Sequence, residues 1–166
     1  TLRAHQGSIT EMAWRSDSNL LATASEDGSV LVWEMNNGKQ VKKVTAHGGG
    51  VLSLDWTSNG HLVTCGRDNK VKIWKPDFNP LKELPVPNSL TTEVAFSHDG
   101  KRVFAASWAG QITVWDVATG KHVGNLAANP PSIAARIQWI QNQIHLFPET
   151  LAKAEQTAKA ATAKSV

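Results

Sequence analysis

The stretch Ser29-Val30-Leu31-Val32-Trp33 decides the fold, because it returns twice along the chain in the same form. The second copy reads Lys70-Val71-Lys72-Ile73-Trp74 and the third reads Gln111-Ile112-Thr113-Val114-Trp115, so the closing tryptophans lie 41 residues apart. Each copy follows a turn and is predicted to form a short strand that ends at its tryptophan. A tandem repeat of this length predicts equivalent structural units that stack against one another.

The rest of the period is repeated as well, and it divides each unit into four strands. A second aromatic residue recurs at Trp14, Trp56 and Phe96, and turn residues follow it each time. Gly and Asn in the turns supply the positive φ that tight hairpins demand. Four strands per unit at a period of about 40 to 45 residues are typical of β-propeller blades. The predicted strands are 8–14, 20–25, 29–34 and 40–45, then 51–56, 61–65, 70–75 and 81–84, then 91–96, 102–107, 111–116 and 122–126.

With three copies in phase, residues 2–126 resemble the WD-repeat β-propeller family. The resemblance is carried by Ala4-His5, Ser25-Glu26-Asp27-Gly28 and Val32-Trp33-Glu34, by Ala46-His47, Arg67-Asp68 and Ile73-Trp74-Lys75, and by Ser107 and Val114-Trp115-Asp116. It implies an all-β fold of three four-stranded antiparallel blades over residues 1–128, at about 1–45, 46–86 and 87–128. It also implies a non-enzymatic scaffold that binds other proteins or peptides and needs no cofactor.

The family further implies a hydrogen-bonded network from a His through a hydroxyl and an Asp to the strand Trp, which gives the indole N–H a buried partner. The first unit supplies His5, Ser25, Asp27 and Trp33, the second supplies His47, Asp68 and Trp74, and the third supplies Ser107 and Trp115. Gly66 replaces the hydroxyl in the second unit and Ala109 replaces the Asp in the third. A His-Ser-Asp set also occurs in acyl transfer, but its periodic context here favours a structural role.

Three loop residues are equivalent by phase and should line one rim of the blades: Glu26, Arg67 and Trp108. Rigid blades commonly present variable loops for binding. An acid, a base and an indole side by side suit a protein partner, because Trp and Arg are favoured contact anchors. The alternative is that all three are ordinary solvated loop residues.

The segment after Asn129-Pro130-Pro131 changes character, and residues 129–166 are predicted to form a helical tail. Apolar residues recur at heptad spacing at Ile133, Ile137, Ile140, Ile144, Phe147 and Leu151. This seam predicts a coiled coil, although Pro148 would kink or split the helix. The alternative is an amphipathic helix that lies on the propeller's own flank.

Three blades fall short of the four to eight or so that closed propellers contain, so both flanks would be open. We expect either an excerpt of a longer chain or an assembly in which copies complete a ring through residues 132–151 and the open blade flanks. A third possibility is a regulatory or sensor domain of a larger enzyme. Residues 130–136 are weakly similar to bacterial chains that join such repeats to haem c domains, which leaves the compartment open between the cytoplasm and bacterial export.

Composition argues against several other classes of protein. The net charge is +3 and the basic residues form no run, so a nucleic-acid partner is not expected. No apolar run reaches membrane-spanning length, so we expect a soluble chain. The sequence has no phosphate-binding loop, no Cys-x-x-Cys pair and no local pair of His ligands, and we assign no catalytic, cofactor or metal site. The single cysteine, Cys65, falls on a predicted inner strand, which favours a buried thiol.

Overall fold

The computed structural model describes residues 4–86 and 90–127, together with the isolated positions 137 and 141. The described residues form the strands β1 (Ile9–Trp14), β2 (Leu20–Ser25), β3 (Ser29–Glu34), β4 (Lys39–Thr45), β5 (Val51–Trp56), β6 (Leu62–Gly66), β7 (Lys70–Trp74), β8 (Pro80–Pro85), β9 (Thr91–Phe96), β10 (Arg102–Ser107), β11 (Gln111–Asp116) and β12 (His122–Ala127). Each strand begins and ends within one residue of its predicted bounds.

The strands make three separate antiparallel sheets of four, with the orders β1-β2-β3-β4, β5-β6-β7-β8 and β9-β10-β11-β12. We call them blade 1, blade 2 and blade 3. This architecture confirms the prediction of three four-stranded antiparallel blades. Equivalent turns also share their backbone form, because Gly28, Asn69 and Gly110 have φ of 82°, 58° and 75° at the same place in three hairpins.

Each blade has two faces, because successive side chains of a strand point to opposite sides. The leading face carries Leu21, Thr23 and Trp33 in blade 1 and their equivalents in the other blades. The trailing face carries the residues between them, and it packs on the leading face of the following blade. Thus Ala22, Ala24, Val30 and Val32 of blade 1 form one apolar core with Val51, Leu54, Leu62 and Trp74 of blade 2. A second core joins Val63, Cys65, Val71 and Ile73 of blade 2 to Val94, Val103, Ala105 and Trp115 of blade 3.

Small irregularities recur at the same phase in all three sheets. The pairing of the third strand with the fourth shifts register directly before Trp33, Trp74 and Trp115. The first and second strands of each blade also shift register near the rim. A bulge bends a strand and increases its twist. Because the bulges recur at the same phase, the three units are equivalent in this detail as well.

The chain divides into two compact units, Thr1–Ala128 and Asn129–Val166. In the second unit only Ile137 and Gln141 are described; both have helical backbone and exposed side chains. The other predicted seam residues, Ile133, Ile140, Ile144, Phe147 and Leu151, lie outside the described residues, so the coiled coil stays a prediction. Within the described part of the chain, no helix has the length and apolar character needed to cross a membrane.

Candidate protein-interaction surface

Three equivalent hairpins carry the predicted rim residues. Glu26 follows β2, Arg67 follows β6 and Trp108 follows β10, each at the first position of its turn. The backbone N–H of Trp108 donates to the carbonyl oxygen of Leu90, and that of Glu26 donates to the carbonyl oxygen of Ser8. Each turn is thus tied to the residue that precedes the first strand of its own blade. These bonds fix the backbone of two of the turns that carry the exposed rim side chains.

The structure brings Arg67 and Glu26 together across two blades. The guanidinium Nη2 of Arg67 donates to Oε1 of Glu26 at 2.9 Å, and both side chains are about half exposed. An exposed ion pair of this kind stabilises a fold by only about 0–1 kcal/mol. Both side chains can therefore leave this pair and bind charged groups of a partner with little loss of stability.

Trp108 has the most exposed large apolar side chain among the described residues, with 82% of its surface accessible. The turn that carries it is closed by the N–H of Gly110, which donates to the carbonyl of Ser107 at 2.9 Å. The N–H of Gln111 donates to the Ser107 hydroxyl at 3.3 Å. A fixed turn thus presents an indole to solvent, which is an unusual use of this residue.

Under the rim of blade 2, a chain of hydrogen bonds runs from the core to the turn that carries Arg67. The indole N–H of Trp74 donates to the Thr64 hydroxyl at 3.0 Å, and that hydroxyl lies 2.8 Å from Nε2 of His47. Nδ1 of His47 lies 2.7 Å from Oδ1 of Asp68. An ionised Asp only accepts, so Nδ1 carries the proton and Nε2 accepts from Thr64. Every polar group in the chain is then satisfied with a neutral imidazole.

The electrostatics of His47 agree with this arrangement. Burial lowers the pKa of His47, and the hydrogen bond and charge of Asp68 offset that effect only in part. The close contact with Asp68 is therefore a hydrogen bond from a neutral ring rather than an ion pair. Lys72 lies nearby, and its ammonium donates to the carbonyl of Ala46 at 2.6 Å.

Blade 1 contains the same chain in its own residues. The indole of Trp33 donates to the Thr23 hydroxyl at 3.0 Å, which lies 2.8 Å from Nε2 of His5. Nδ1 of His5 lies 3.2 Å from Oδ2 of Asp27. Burial alone raises the pKa of the Asp27 carboxyl, but hydrogen bonds from the Ser29 side chain and from backbone N–H groups outweigh it and hold that pKa below its usual range. Asp27 therefore stays ionised and fixes the turn behind Glu26.

Two family models match the chain. The one described as "Anaphase-promoting complex subunit 4 WD40 domain" matches residues 1–59, and the one described as "WD domain, G-beta repeat" matches residues 78–116. The chain belongs to the WD-repeat family.

Relatives and solved structures agree with this assignment. SIR4-interacting protein SIF2 of Saccharomyces cerevisiae is 26% identical over 156 residues, covering 88% of this chain and 29% of the yeast protein. Apoptotic protease-activating factor 1 of Rattus norvegicus is 34% identical over 122 residues, covering 72% of this chain and 10% of the rat protein. The structure of U3-55K has the same fold, with a TM-score of 0.72 at 23% identity over 75% of this chain and 41% of that one. The chain thus spans less than a third of either relative.

Within these WD repeats, the hydroxyl that joins His to Trp differs from the predicted one. It belongs to Thr23 in blade 1, whereas Ser25 accepts a bond from the backbone N–H of Asp27 at 3.1 Å. The prediction that Ser25 links His5 to Trp33 was therefore wrong. Gly66 does not mark a missing hydroxyl either, because Thr64 supplies it. A signal was present, since Thr23 and Thr64 both lie ten residues before their Trp.

Blade 3 gives its indole N–H a different hydrogen-bond partner. Ala105 stands where the other two WD repeats have Thr, so the indole of Trp115 donates instead to the hydroxyl of Thr113 at 3.3 Å. That hydroxyl donates in turn to the carbonyl of Ala105 at 3.2 Å. Ser107 takes no part in this bond and serves the turn instead. The third repeat thus satisfies its indole from β11 itself, whereas the first two use a hydroxyl on the neighbouring strand.

The WD repeats offer little for catalysis in the part of the chain that the structure describes. No group of three or more His, Cys, Asp or Glu side chains there has metal-binding geometry. Cys65 is buried, and burial raises the pKa of its thiol to about 12. A thiol of this kind is inert at neutral pH, because the nucleophile is the thiolate.

Proposed function

We propose that the chain is a non-enzymatic scaffold that binds a protein or peptide partner at the rim formed by Glu26, Arg67 and Trp108. WD repeats generally act as interaction scaffolds, and the yeast relative is named for its interaction with SIR4. The observation that carries the rim assignment is the exposure of Trp108. Large exposed indoles are rare on surfaces without partners and frequent among the residues that dominate binding.

The neighbouring charges suggest the chemistry of the partner. A partner carboxylate would accept two hydrogen bonds from the guanidinium of Arg67, while a partner Lys or Arg would form an ion pair with Glu26. Because the exposed Arg67–Glu26 pair is weak, a partner loses little by opening it. A peptide with an apolar residue for Trp108 and one acidic residue a few positions away fits this rim best.

Peptide selection on the immobilised chain tests this proposal. Peptides selected by phage display are measured for Kd against the wild type, Trp108→Ala and Arg67→Glu, with Val41→Ala as a control, since Val41 is a half-exposed apolar residue on β4, away from the rim. We expect Trp108→Ala to raise Kd about 30-fold, which corresponds to about 2 kcal/mol. Arg67→Glu should act mainly on acidic peptides. Equal affinities across all four proteins would place the binding site elsewhere.

An assembly role through the predicted helical seam is a second candidate. The seam of Ile133, Ile137, Ile140, Ile144, Phe147 and Leu151 would contribute only if residues 132–151 form the predicted helix. A role as a sensor domain of a larger enzyme has no comparable support among the described residues.

A further inference from the structure

The fourth strand of blade 1, β4, is the outermost strand of its sheet and pairs with β3 alone. Its other edge, which we call the outer edge of β4, pairs with no strand among the described residues. An unpaired edge presents backbone N–H and C=O groups that can pair with another chain. With seven residues, β4 is the longest strand of the three blades, and six of these residues are exposed. It lies well inside the described stretch 4–86, so the edge adjoins neither end of the sequence.

The outer strands of the other two blades contain residues that hinder pairing at an edge. β8 begins at Pro80 and ends at Pro85, and proline has no N–H to donate to a further strand. Its acid, Glu83, is already paired with the ammonium of Lys70 at 2.6 Å. β12 contains Gly124, and glycine inside a strand weakens it. β4 contains neither proline nor glycine, so its backbone is better suited to accept a further strand.

The charge of β4 is unmatched. The strand carries Lys39, Lys42 and Lys43 and no acidic residue. Within residues 4–86 and 90–127, none of these three ammonium groups forms an ion pair. The neighbouring strand cannot neutralise the last two, because Lys42 lies opposite Val32 and Lys43 lies opposite Leu31, which are buried apolar residues. A strand on the outer edge could supply the missing carboxylates.

The positions of the lysines indicate what kind of partner fits. Opposite charges that face each other on adjacent strands stabilise a sheet, and like charges destabilise it. The β4 strand of a second copy would therefore be repelled, whereas an acidic strand would be attracted. Lys42 and Lys43 are consecutive, so they point to opposite faces of the sheet. A nucleic acid lying on one face would meet only one of them, but a strand that continues the sheet reaches both.

We infer that the outer edge of β4 binds an extended acidic segment of a partner protein, which joins blade 1 as a fifth strand. In this mode of recognition the backbone hydrogen bonds give affinity and the side chains give specificity. Carboxylates opposite Lys42 and Lys43 fix the register, because a slip of one residue moves every side chain to the other face. Val41, which is 50% exposed, adds an apolar contact. No rim residue takes part, so this site is separate from the proposed function.

A designed peptide tests the charge pattern. In antiparallel register, the peptide Thr-Val-Glu-Glu-Val-Thr-Glu places one Glu opposite each lysine of β4. Its Kd for the full chain is measured by fluorescence anisotropy at physiological salt, because low salt exaggerates surface electrostatics. The double variant Lys42→Glu/Lys43→Glu replaces two attractive pairs by two repulsive ones and should raise Kd about 30-fold.

Two controls accompany this measurement. Lys101→Glu/Lys121→Glu makes the same change of charge at exposed lysines outside the strands of blade 3, and it should bind the peptide about as the wild type does. Trp108→Ala should also leave Kd unchanged, because the indole lies on the rim. All of these side chains are exposed, so circular dichroism should show an unchanged fold. A wild type that does not bind the peptide at about 1 mM overturns the inference, as does equal binding by the two double variants.

Backbone methylation of the peptide tests strand pairing. In an antiparallel pair, alternate residues bond to the neighbouring strand. Of two peptides that are N-methylated at the odd or at the even positions, only one loses the N–H groups that face β4. One form should therefore lose binding and the other should keep it. Equal binding by both forms would leave charge as the only attraction and would overturn the inference.

Hydrogen exchange of the full chain locates the bound peptide. We expect the peptide to slow exchange of backbone N–H groups in residues 39–45 and to leave the turns of Glu26, Arg67 and Trp108 unchanged. Slower exchange confined to those turns would place the peptide at the rim and overturn the inference. Tighter binding of an oligothymidylate of equal charge would assign the lysines to nucleic acid and would also overturn it.

Discussion

Replacing Gly66 with Ser puts back the hydroxyl that the repeat pattern suggests is missing, and we predict that it destabilises the protein. The equivalent residue of blade 1 is Ser25, so a comparison of repeats alone predicts a gain. The structure predicts the reverse, because His47 packs directly on Gly66. A Cβ at position 66 would lie 2.4 Å from both Cβ and Cγ of His47 and 2.6 Å from the carbonyl oxygen of Gly50.

The magnitude follows from which groups have to move. The φ of Gly66 is not left-handed, so the backbone alone would favour Ser over Gly by about 0.5–1 kcal/mol. Contacts below 3.0 Å with a buried ring and a backbone oxygen cannot relax cheaply, and overpacking of this kind costs about 1–3 kcal/mol. Displacing His47 also loosens its bonds to Thr64 and Asp68, and a buried polar group left without its partner costs about 1–3 kcal/mol more. The free energy of unfolding should fall by about 3 kcal/mol.

Urea unfolding followed by tryptophan fluorescence measures this change. Gly124→Ala is the matched control, because Gly124 also lies in a strand and a Cβ there meets nothing within 4 Å. We expect the control to gain about 0.5–1 kcal/mol while Gly66→Ser loses about 3 kcal/mol. A Gly66→Ser protein as stable as the wild type would refute the packing argument.

Three further predictions follow from the buried polar groups. Thr64→Val leaves the Trp74 indole and Nε2 of His47 without their shared partner, and it should lower the free energy of unfolding in urea by about 2–4 kcal/mol; a loss below about 1 kcal/mol would count against the hydrogen-bond chain. Thr91→Val should raise the thermal midpoint and add about 1 kcal/mol, because the buried Thr91 hydroxyl has no hydrogen-bond partner among the described residues and Val51 occupies the same position in blade 2. Burial lowers the pKa of His47 from 6.5, so below that pH the unfolded chain takes up a proton that the folded ring does not, and stability should fall from pH 7 to pH 5. His47→Gln should flatten that slope in the same unfolding assay, and an unchanged slope would assign the titration to another group.

The strands could be predicted almost to the residue because their signals are local. Apolar strand residues, a closing tryptophan and Gly or Asn at the turn mark each hairpin without any knowledge of the contacts between blades. The placement of the three rim residues on equivalent turns was also predictable from the sequence, since it follows from the repeat spacing alone. The pairing of Arg67 with Glu26 was not, because it depends on the distance between neighbouring blades.

The hydroxyl of the hydrogen-bond chain was missed for a geometric reason. Trp33 pairs with Leu21 across the hairpin, and a strand rises about 3.3 Å per residue. Ser25 is then about 13 Å from the position opposite the indole, whereas Thr23 is only two residues away on the same face. The family resemblance points to the hydroxyl beside the turn, that of Ser25. The register of the hairpin instead brings the hydroxyl of Thr23, deeper in the strand, next to the indole.

The rim depends on the buried hydrogen-bond chains beneath it. The His–Asp pairs of blades 1 and 2 tie the turns of Glu26 and Arg67 to buried tryptophans, so these two charges are held by the core. The third turn has Ala109 where the others have Asp, and it carries the most exposed side chain, Trp108. A rim with two turns anchored to the core and a third that presents a large apolar side chain combines preorganised charge with an apolar contact. Preorganisation of this kind reduces the entropy lost on binding, which is why the hydrogen-bond chains matter for the proposed function although none of their atoms would touch the partner.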